Sequence, residues 1–499
     1  MICPPNGSDI IDVDSIGRYN YLPTKTLPPV FRFAPALPSR RKCLPMKSRT
    51  GCGAFQRSLR LTRRGFLQAG ALGASGLSLS GLLRNEAQAA TGSSERSVII
   101  LWMRGGPSHI DMWDPKPNAP VEYRGEFGTI STNVPGIQLT DMLPKSAAIM
   151  DKWSIIRSLN HHDAGHSTGD QMCFTGYNAG QTPDENAHPS CGSIVAEQLG
   201  YLSPELPAYV MIPKMLPGAG SAYLGVANKP FETIADPAAL GPFNVPNFSL
   251  AEGLDVHRLG DRRQLLSGLD RVQEQIDRSG QMRAIDRYTQ KAWSILSSSK
   301  ARDAFNLDAE PQSVRERYGF MPAFDPGASN RCGAPAWSQR ILLARRLVEA
   351  GVRLVTVDLR WWDTHVKGFE SLRLGFLPRW DQAFPALIED LTERGLIDNT
   401  LVVAWGEFGR TPRVNNDAGR DHYPNVFSAA LAGGPVRGGR VVGSSDAHGA
   451  FPLSNPKSPQ DVLATIYRFL GVDTQKQYLD NSGRPHLTLP FGTPIAELS

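Results

Sequence analysis

Beyond residue 95 the chain alternates two kinds of apolar pattern. Short continuous apolar runs occupy 97–103, 154–159, 208–212, 352–357 and 400–405. Each is too short for a buried helix and lacks the alternation of a half-exposed strand, so each predicts a strand covered on both faces. Between them the pattern changes to a helical period over 338–350 and 380–394, the second with Phe384, Leu387, Ile388 and Leu391 on one face. Strands alternating with helices predict one α/β domain over 95–499, with a mostly parallel central sheet and helices on both of its faces. Residues 250–318 depart from that rhythm. They are charged, with Leu265, Leu266, Leu269, Val272 and Ile276 recurring on one side, and predict a helical insertion beside the sheet.

Upstream of the domain the pattern is of another kind. Residues 1–60, with much proline and arginine and no apolar period, predict a disordered or untranslated extension, and Met46 offers a later start. Leu61-Thr62-Arg63-Arg64-Gly65-Phe66-Leu67 resembles the twin-arginine export pattern. A soft apolar stretch to Leu83 and the small-residue site Ala87-Gln88-Ala89 follow, so 61–90 predict a cleaved signal peptide. Gly65, Gly70, Gly73, Gly76 and Gly81 keep the stretch too weakly apolar to suit the alternative, a permanent membrane span. This leader implies passage through the twin-arginine translocase to the periplasm or beyond, with membrane contact only through the leader.

The leader also accounts for the basic charge. Residues 1–90 carry 13 Lys and Arg against 4 Asp and Glu, so the 53 and 48 of the whole chain become 40 and 44 beyond residue 90. A near-neutral remainder without clustered Lys and Arg gives no footprint for nucleic acid. Cys3, Cys43 and Cys52 precede or fall within the upstream region, leaving Cys173, Cys191 and Cys332. That odd number excludes a fully paired framework and leaves open one Cys173–Cys191 bridge or three free thiols.

Ligands of open α/β sheets gather beyond the carboxyl ends of the strands, and there the histidines and carboxylates concentrate. Ser108, His109, Asp111 and Asp114 follow the first predicted strand; His161, His162, Asp163, His166, Ser167 and Thr168 follow the second. Asp358, Asp363 and His365 close the fourth, and Glu407, Arg410, Asp421 and His422 follow the fifth. Imidazole and carboxylate together suit a borderline divalent ion. A lone Asp–His pair is commonly structural, so the case for a metal rests on several such groups after successive strands. Asp446 and His448 fit either a further contribution or plain turn chemistry.

Residues 387–403 resemble the helix, turn and strand that precede the metal-binding residues of sulfatases and their alkaline-phosphatase-superfamily relatives. Gly105-Gly106-Pro107-Ser108-His109-Ile110-Asp111, Gly406-Glu407-Phe408-Gly409-Arg410-Thr411-Pro412, Gly419-Arg420-Asp421-His422 and Leu431-Ala432-Gly433-Gly434 are closer still to an exported bacterial sulfatase-like family of undefined function. The resemblance implies an alkaline-phosphatase-like fold and hydrolysis of sulfate or phosphate esters with a divalent ion, Zn, Ca, Mg or Mn. By position it assigns metal-ligand roles to His109, Asp111, Asp363, His365, Glu407, Asp421 and His422, with Asp421 either a ligand or an orienter. His166 falls at the nucleophile position with Ser167 adjacent, and Arg410 or Arg104 would hold the anionic group. Thr175-Gly176 matches a later sulfatase element, but the Pro-Ser-Arg element that accompanies formylglycine chemistry is missing.

Three functions remain open on the sequence. The first is an exported hydrolase acting on a small-molecule or polysaccharide ester. The second is a degenerate, non-catalytic member that binds carbohydrate or a surface partner, and the third is a metal-dependent phosphotransferase or mutase, which export disfavours.

Overall fold

A computed structural model describes residues 95–246, 294–295, 298–328 and 332–499. The N-terminal extension, the leader and most of the 250–318 insertion lie outside the described residues. The described part of that insertion is helical at Ser299–Phe305 and Gln312–Tyr318.

The central sheet has eight strands: β1 (Ser97–Trp102), β2 (Trp153–Leu159), β3 (Tyr209–Ile212), β4 (Phe231–Glu232), β5 (Leu354–Asp358), β6 (Thr400–Trp405), β7 (Phe427–Ala432) and β8 (Val441–Val442). Their order is β8-β2-β7-β6-β1-β5-β3-β4. All neighbours pair in parallel except β7, which runs antiparallel to both β2 and β6. The five strands expected from continuous apolar runs are all present within a residue or two of their predicted ends. β7 escaped the sequence pattern because Ser428, Ala429, Ala430 and Ala432 make a weak apolar run.

β1 explains why the runs are continuous. Ile99 and Leu101 pack with Ile341, Leu342 and Leu347 of α3 (Ser338–Ala350) and with Leu387 and Leu391 of α4 (Leu377–Glu393). Val98, Ile100 and Trp102 point to the opposite face, against Phe174 of α1 (His166–Thr175), Ile194 of α2 (Cys191–Leu199) and Leu463 and Ile466 of α5 (Pro459–Leu470). Side chains alternate across a strand, so a helix on each face makes every position apolar. Truncating a side chain such as Leu387 in such a core costs about 2–5 kcal/mol.

α4 begins three residues before its predicted start because proline is tolerated in a first turn, here Pro378. Cys173, Cys191 and Cys332 are all buried free thiols, which closes the disulfide alternative for these three. Among the described residues no helix is long and apolar enough to cross a membrane.

Candidate metal site

The loops leaving the carboxyl ends of β1, β2, β5 and β6 meet at one place. Two glycines let them do so. Gly105 sits at φ +112°, and a Cβ there would meet the Trp362 backbone nitrogen at 2.5 Å, so the β1 loop can lie against the β5 loop only without a side chain. At Gly419 a Cβ would collide with the carbonyl of His365, which ties the loop carrying Asp421 and His422 to the loop carrying His365.

Asp363, 8 % exposed, is the centre of the arrangement. His365 Nε2 lies 2.9 Å and His422 Nε2 3.1 Å from its Oδ1, and His166 Nε2 lies 3.1 Å from its Oδ2. The His365 and His422 Nε2 atoms are 3.0 Å apart. Ligand atoms of His166, Asp363 and His422 all lie within 4.8 Å of one another, the spacing of a set that can share one ion. Arg410 Nη2 donates to Asp363 Oδ1 at 2.6 Å.

The acids expected as ligands stand behind the rings instead. Glu407 Oε1 accepts from the Gly105 N–H at 2.8 Å and faces His166 Nδ1 at 2.5 Å; its Oε2 is buried with no hydrogen-bond partner. Asp421 Oδ1 faces His365 Nδ1 at 2.7 Å, and the Ala164 carbonyl faces His422 Nδ1 at 2.8 Å. Glu407 and Asp421 therefore orient imidazoles.

Burial and hydrogen bonding pull the charges of this cluster in opposite directions. Burial pushes the Asp363 carboxyl up, but hydrogen bonds from His166, His365 and His422, with Arg410 alongside, override it and hold the group well below the usual carboxylate range. Burial lowers His166, and its bonds to Asp363 and Glu407 outweigh that to raise it to about 9. His365 is raised by its bond to Asp363, against burial, with help from Asp421. A divalent ion would compete with these protons for the same nitrogens.

His109 and Asp111 belong to a different network, which corrects their expected place among the ligands. Both Asp111 oxygens are held by Arg420, at 2.8 and 3.0 Å, and Ser108 Oγ donates to one of them at 2.6 Å. His109 Nε2 faces the Gly449 carbonyl at 2.8 Å, and burial lowers its pKa. The buried Asp111–Arg420 pair anchors the residue next to Asp421 and His422, so its role is to fix that loop. Arg410 is likewise structural in its contacts. It is fully buried, and its nitrogens donate to the carbonyls of Gly105, Gly106 and Arg420 as well as to Asp363, which turns it away from a substrate anion. Asp446 accepts backbone N–H groups of His448, Ala450 and Phe451, so it is turn chemistry.

Ser167, the second residue of α1, lies beside the cluster. Its hydroxyl donates to Asp184 at 2.5 Å and receives Arg104 Nη2 at 3.4 Å. Arg104 pairs with the fully buried Asp170 at 2.7 Å, and Trp102 Nε1 donates to the same carboxylate at 3.0 Å. The guanidinium carbons of Arg104 and Arg360 each lie 4.8 Å from the Trp361 ring. Asp170 and Trp361 were missed in the sequence. Asp170 was accessible as a charge one helical turn after His166, whereas Trp361 gave no signal apart from following a strand. His161 Nε2 meets the Glu407 carbonyl at 2.5 Å and so braces the loop that carries the acid.

Residues 95–498 match the family described as "Protein of unknown function (DUF1501)", and the chain belongs to that family. No curated protein matches the sequence. Among solved structures it is similar to Ps i-CgsB in complex with k-i-k-neocarrahexaose, at 11 % identity and a TM-score of 0.35, over 76 % of this chain and 72 % of that one. The phosphonate monoester hydrolase SpPMH from Silicibacter pomeroyi aligns at 12 % identity and a TM-score of 0.32, covering 80 % and 74 %. The lipoteichoic acid synthase LtaP from Listeria monocytogenes aligns at 9 % identity and 0.31, covering 80 % and 75 %.

Proposed function

We propose that this protein is an exported, metal-dependent hydrolase of sulfate or phosphate esters. The observation that carries the reading is the convergence of His166, Asp363 and His422 from three separate loops onto one ion-sized space. The donor set fits a divalent ion: imidazole nitrogens and a carboxylate point inward, and each ring has an oriented acceptor behind it. When bound, such an ion supplies Lewis-acid stabilisation to an ester oxygen.

The chain's own groups supply the remainder. The first N–H groups of α1 have no partner within the helix and, with the helix dipole, favour an anion beside Ser167. Ser167 is the candidate nucleophile and Asp184 the acceptor of its proton, because the hydroxyl already donates there. Arg104 lies on the same hydroxyl and neutralises negative charge that develops next to it. His166, which the sequence resemblance puts at the nucleophile position, has one ring nitrogen on Glu407 and the other at Asp363, so it serves the ion. The Arg63-Arg64 leader directs the folded protein through the twin-arginine translocase to the periplasm or outside the cell.

Assays of an aryl sulfate, a phosphomonoester and a phosphodiester, with Ser167→Ala and His422→Ala as controls, test the proposal. At least one ester should be cleaved, with a loss of roughly 100-fold or more in each variant. Equal, slow turnover by wild type and both variants on every substrate would leave a binding protein for carbohydrate or a surface partner.

A further inference from the structure

The hydrogen-bond directions around Asp363 narrow the class of ion, an inference that rests on the metal-site reading above. His166 Nδ1 faces a Glu407 oxygen at 2.5 Å, His365 Nδ1 an Asp421 oxygen at 2.7 Å and His422 Nδ1 the Ala164 carbonyl at 2.8 Å. Carboxylate and carbonyl oxygens accept and do not donate, so each Nδ1 carries its hydrogen and a neutral ring has a bare Nε2. The Nε2 atoms all face inward, where a metal ion would displace any proton shared with Asp363. His365 and His422 Nε2 are 3.0 Å apart, and two N–H groups cannot point at one another across that distance, so at least one is a lone pair. That lone pair also faces Asp363 Oδ1, at 2.9 Å from His365 or 3.1 Å from His422. Arg410 donates to that oxygen at 2.6 Å from another side and so offsets part of its charge, but it places no proton between the oxygen and the lone pair, a position that suits a metal ion.

The inward atoms are also mostly nitrogen. Glu407 and Asp421, the acids a calcium site would use, lie on the far side of the rings, and among the described residues Asp363 is the carboxylate that faces the Nε2 atoms. Calcium takes six to eight oxygens and magnesium holds an octahedron of oxygen and water, whereas imidazole suits zinc and its neighbours.

We propose that Asp363, His365 and His422, with His166 approaching the second Asp363 oxygen, form a site selective for a nitrogen-preferring divalent ion of the zinc class over calcium and magnesium. Asp421 is a positioning residue: it holds the His365 tautomer that presents Nε2.

The test is metal binding by the chelator-stripped, exported protein, titrated separately with zinc, calcium and magnesium against a chromogenic indicator. Zinc should bind roughly a thousandfold more tightly than calcium. Cobalt should produce the visible absorption of a nitrogen-rich, low-coordinate site. His365→Ala should weaken zinc by about 100-fold and Asp421→Ala by roughly 10- to 100-fold, with circular dichroism and thermal melts checking that both variants fold. Asp421, with its side chain 56 % exposed, can be truncated without opening the core. Calcium or magnesium binding as tightly as zinc, or zinc affinity unmoved in both variants, would overturn the assignment. Ester cleavage supported by calcium and not zinc would overturn it while leaving the hydrolase reading intact. Tight zinc binding with no ester cleaved would do the reverse.

Discussion

Two clusters of buried charge in this protein differ in what faces what. Around Arg345, fully buried on α3, Glu310 lies at 2.7 Å, Asp390 at 2.8 Å and Glu349 pairs with the same guanidinium, while the Tyr318 hydroxyl donates to Asp390 at 2.8 Å. Each carboxylate there meets a guanidinium; burial pushes both carboxyls up, but Arg345 and Arg346 at Glu310, and Arg394 with Arg345 and Tyr318 at Asp390, override it and hold them below their usual range. Around Asp363 the carboxylate meets one guanidinium, that of Arg410, and three imidazoles whose outer nitrogens are already held by acceptors. Burial of charge is common to both clusters and does not separate a structural network from a ligand site. The kind of partner does: around Arg345 carboxylates meet guanidinium groups, whereas three imidazole Nε2 atoms converge on the Asp363 carboxylate, a donor set that can exchange its protons for a metal ion.

The largest expected effect tests the first half of that contrast. Arg345→Met removes the fully buried cation between Glu310 and Asp390, leaving them Arg346 and Arg394 at the edge of the network, and should cost about 3 kcal/mol in denaturant unfolding while leaving ion affinity unchanged. A loss below about 1 kcal/mol would mean the network is no more than a surface-like pairing. Next in size, zinc at a hundredfold excess over its Kd should stabilise the wild type by about 2.7 kcal/mol. That increment should persist in Arg345→Met, vanish in His422→Ala and reverse on chelation, as read by thermal melts.

Asp111 sharpens the boundary between the two kinds of cluster, because the sequence groups it with the ligands and the structure pairs it with Arg420. Asp111→Asn should lower stability by about 2 kcal/mol with metal stoichiometry unchanged; loss of the ion in a folded variant would return Asp111 to the ligand set. The smallest effect belongs to an exposed pair. Hydrogen bonds from Asn455 at 2.6 Å and Lys457 at 2.9 Å lower the Glu497 carboxyl to about 2. A depressed carboxyl stabilises the fold above its unfolded pKa, and the contribution is lost as pH falls from about 4.3 through the folded value. Glu497→Gln should therefore cost on the order of 0.5 kcal/mol at neutral pH and progressively less as pH falls through about 2, measured by unfolding across that range.

The sheet was largely legible in the sequence because helices cover both faces, which makes 97–103 or 400–405 apolar at every position. β7 was not, since its alanines and serine could equally line a turn. For the site, the chain pattern located the loops that bring His166, Asp363, His365, Glu407, Arg410, Asp421 and His422 together. It could not say which face of a ring each acid takes. Glu407 and Asp421 have ligand chemistry and act behind the imidazoles, and Asp111 has ligand chemistry but faces Arg420. Those distinctions depend on side-chain direction between partners 56 to 309 positions apart, from Asp421 with His365 to Asp111 with Arg420, and no local spacing encodes them.

The most direct test is the divalent-metal content of the protein exported through its own leader, wild type beside Asp363→Asn, each passed through a desalting step and checked for folding. At least one tightly held ion per chain in the wild type, and none in the folded variant, is the predicted result. A metal-free wild type, or equal content in the two proteins, would contradict the claim that the loops around Asp363 are assembled to hold a cation.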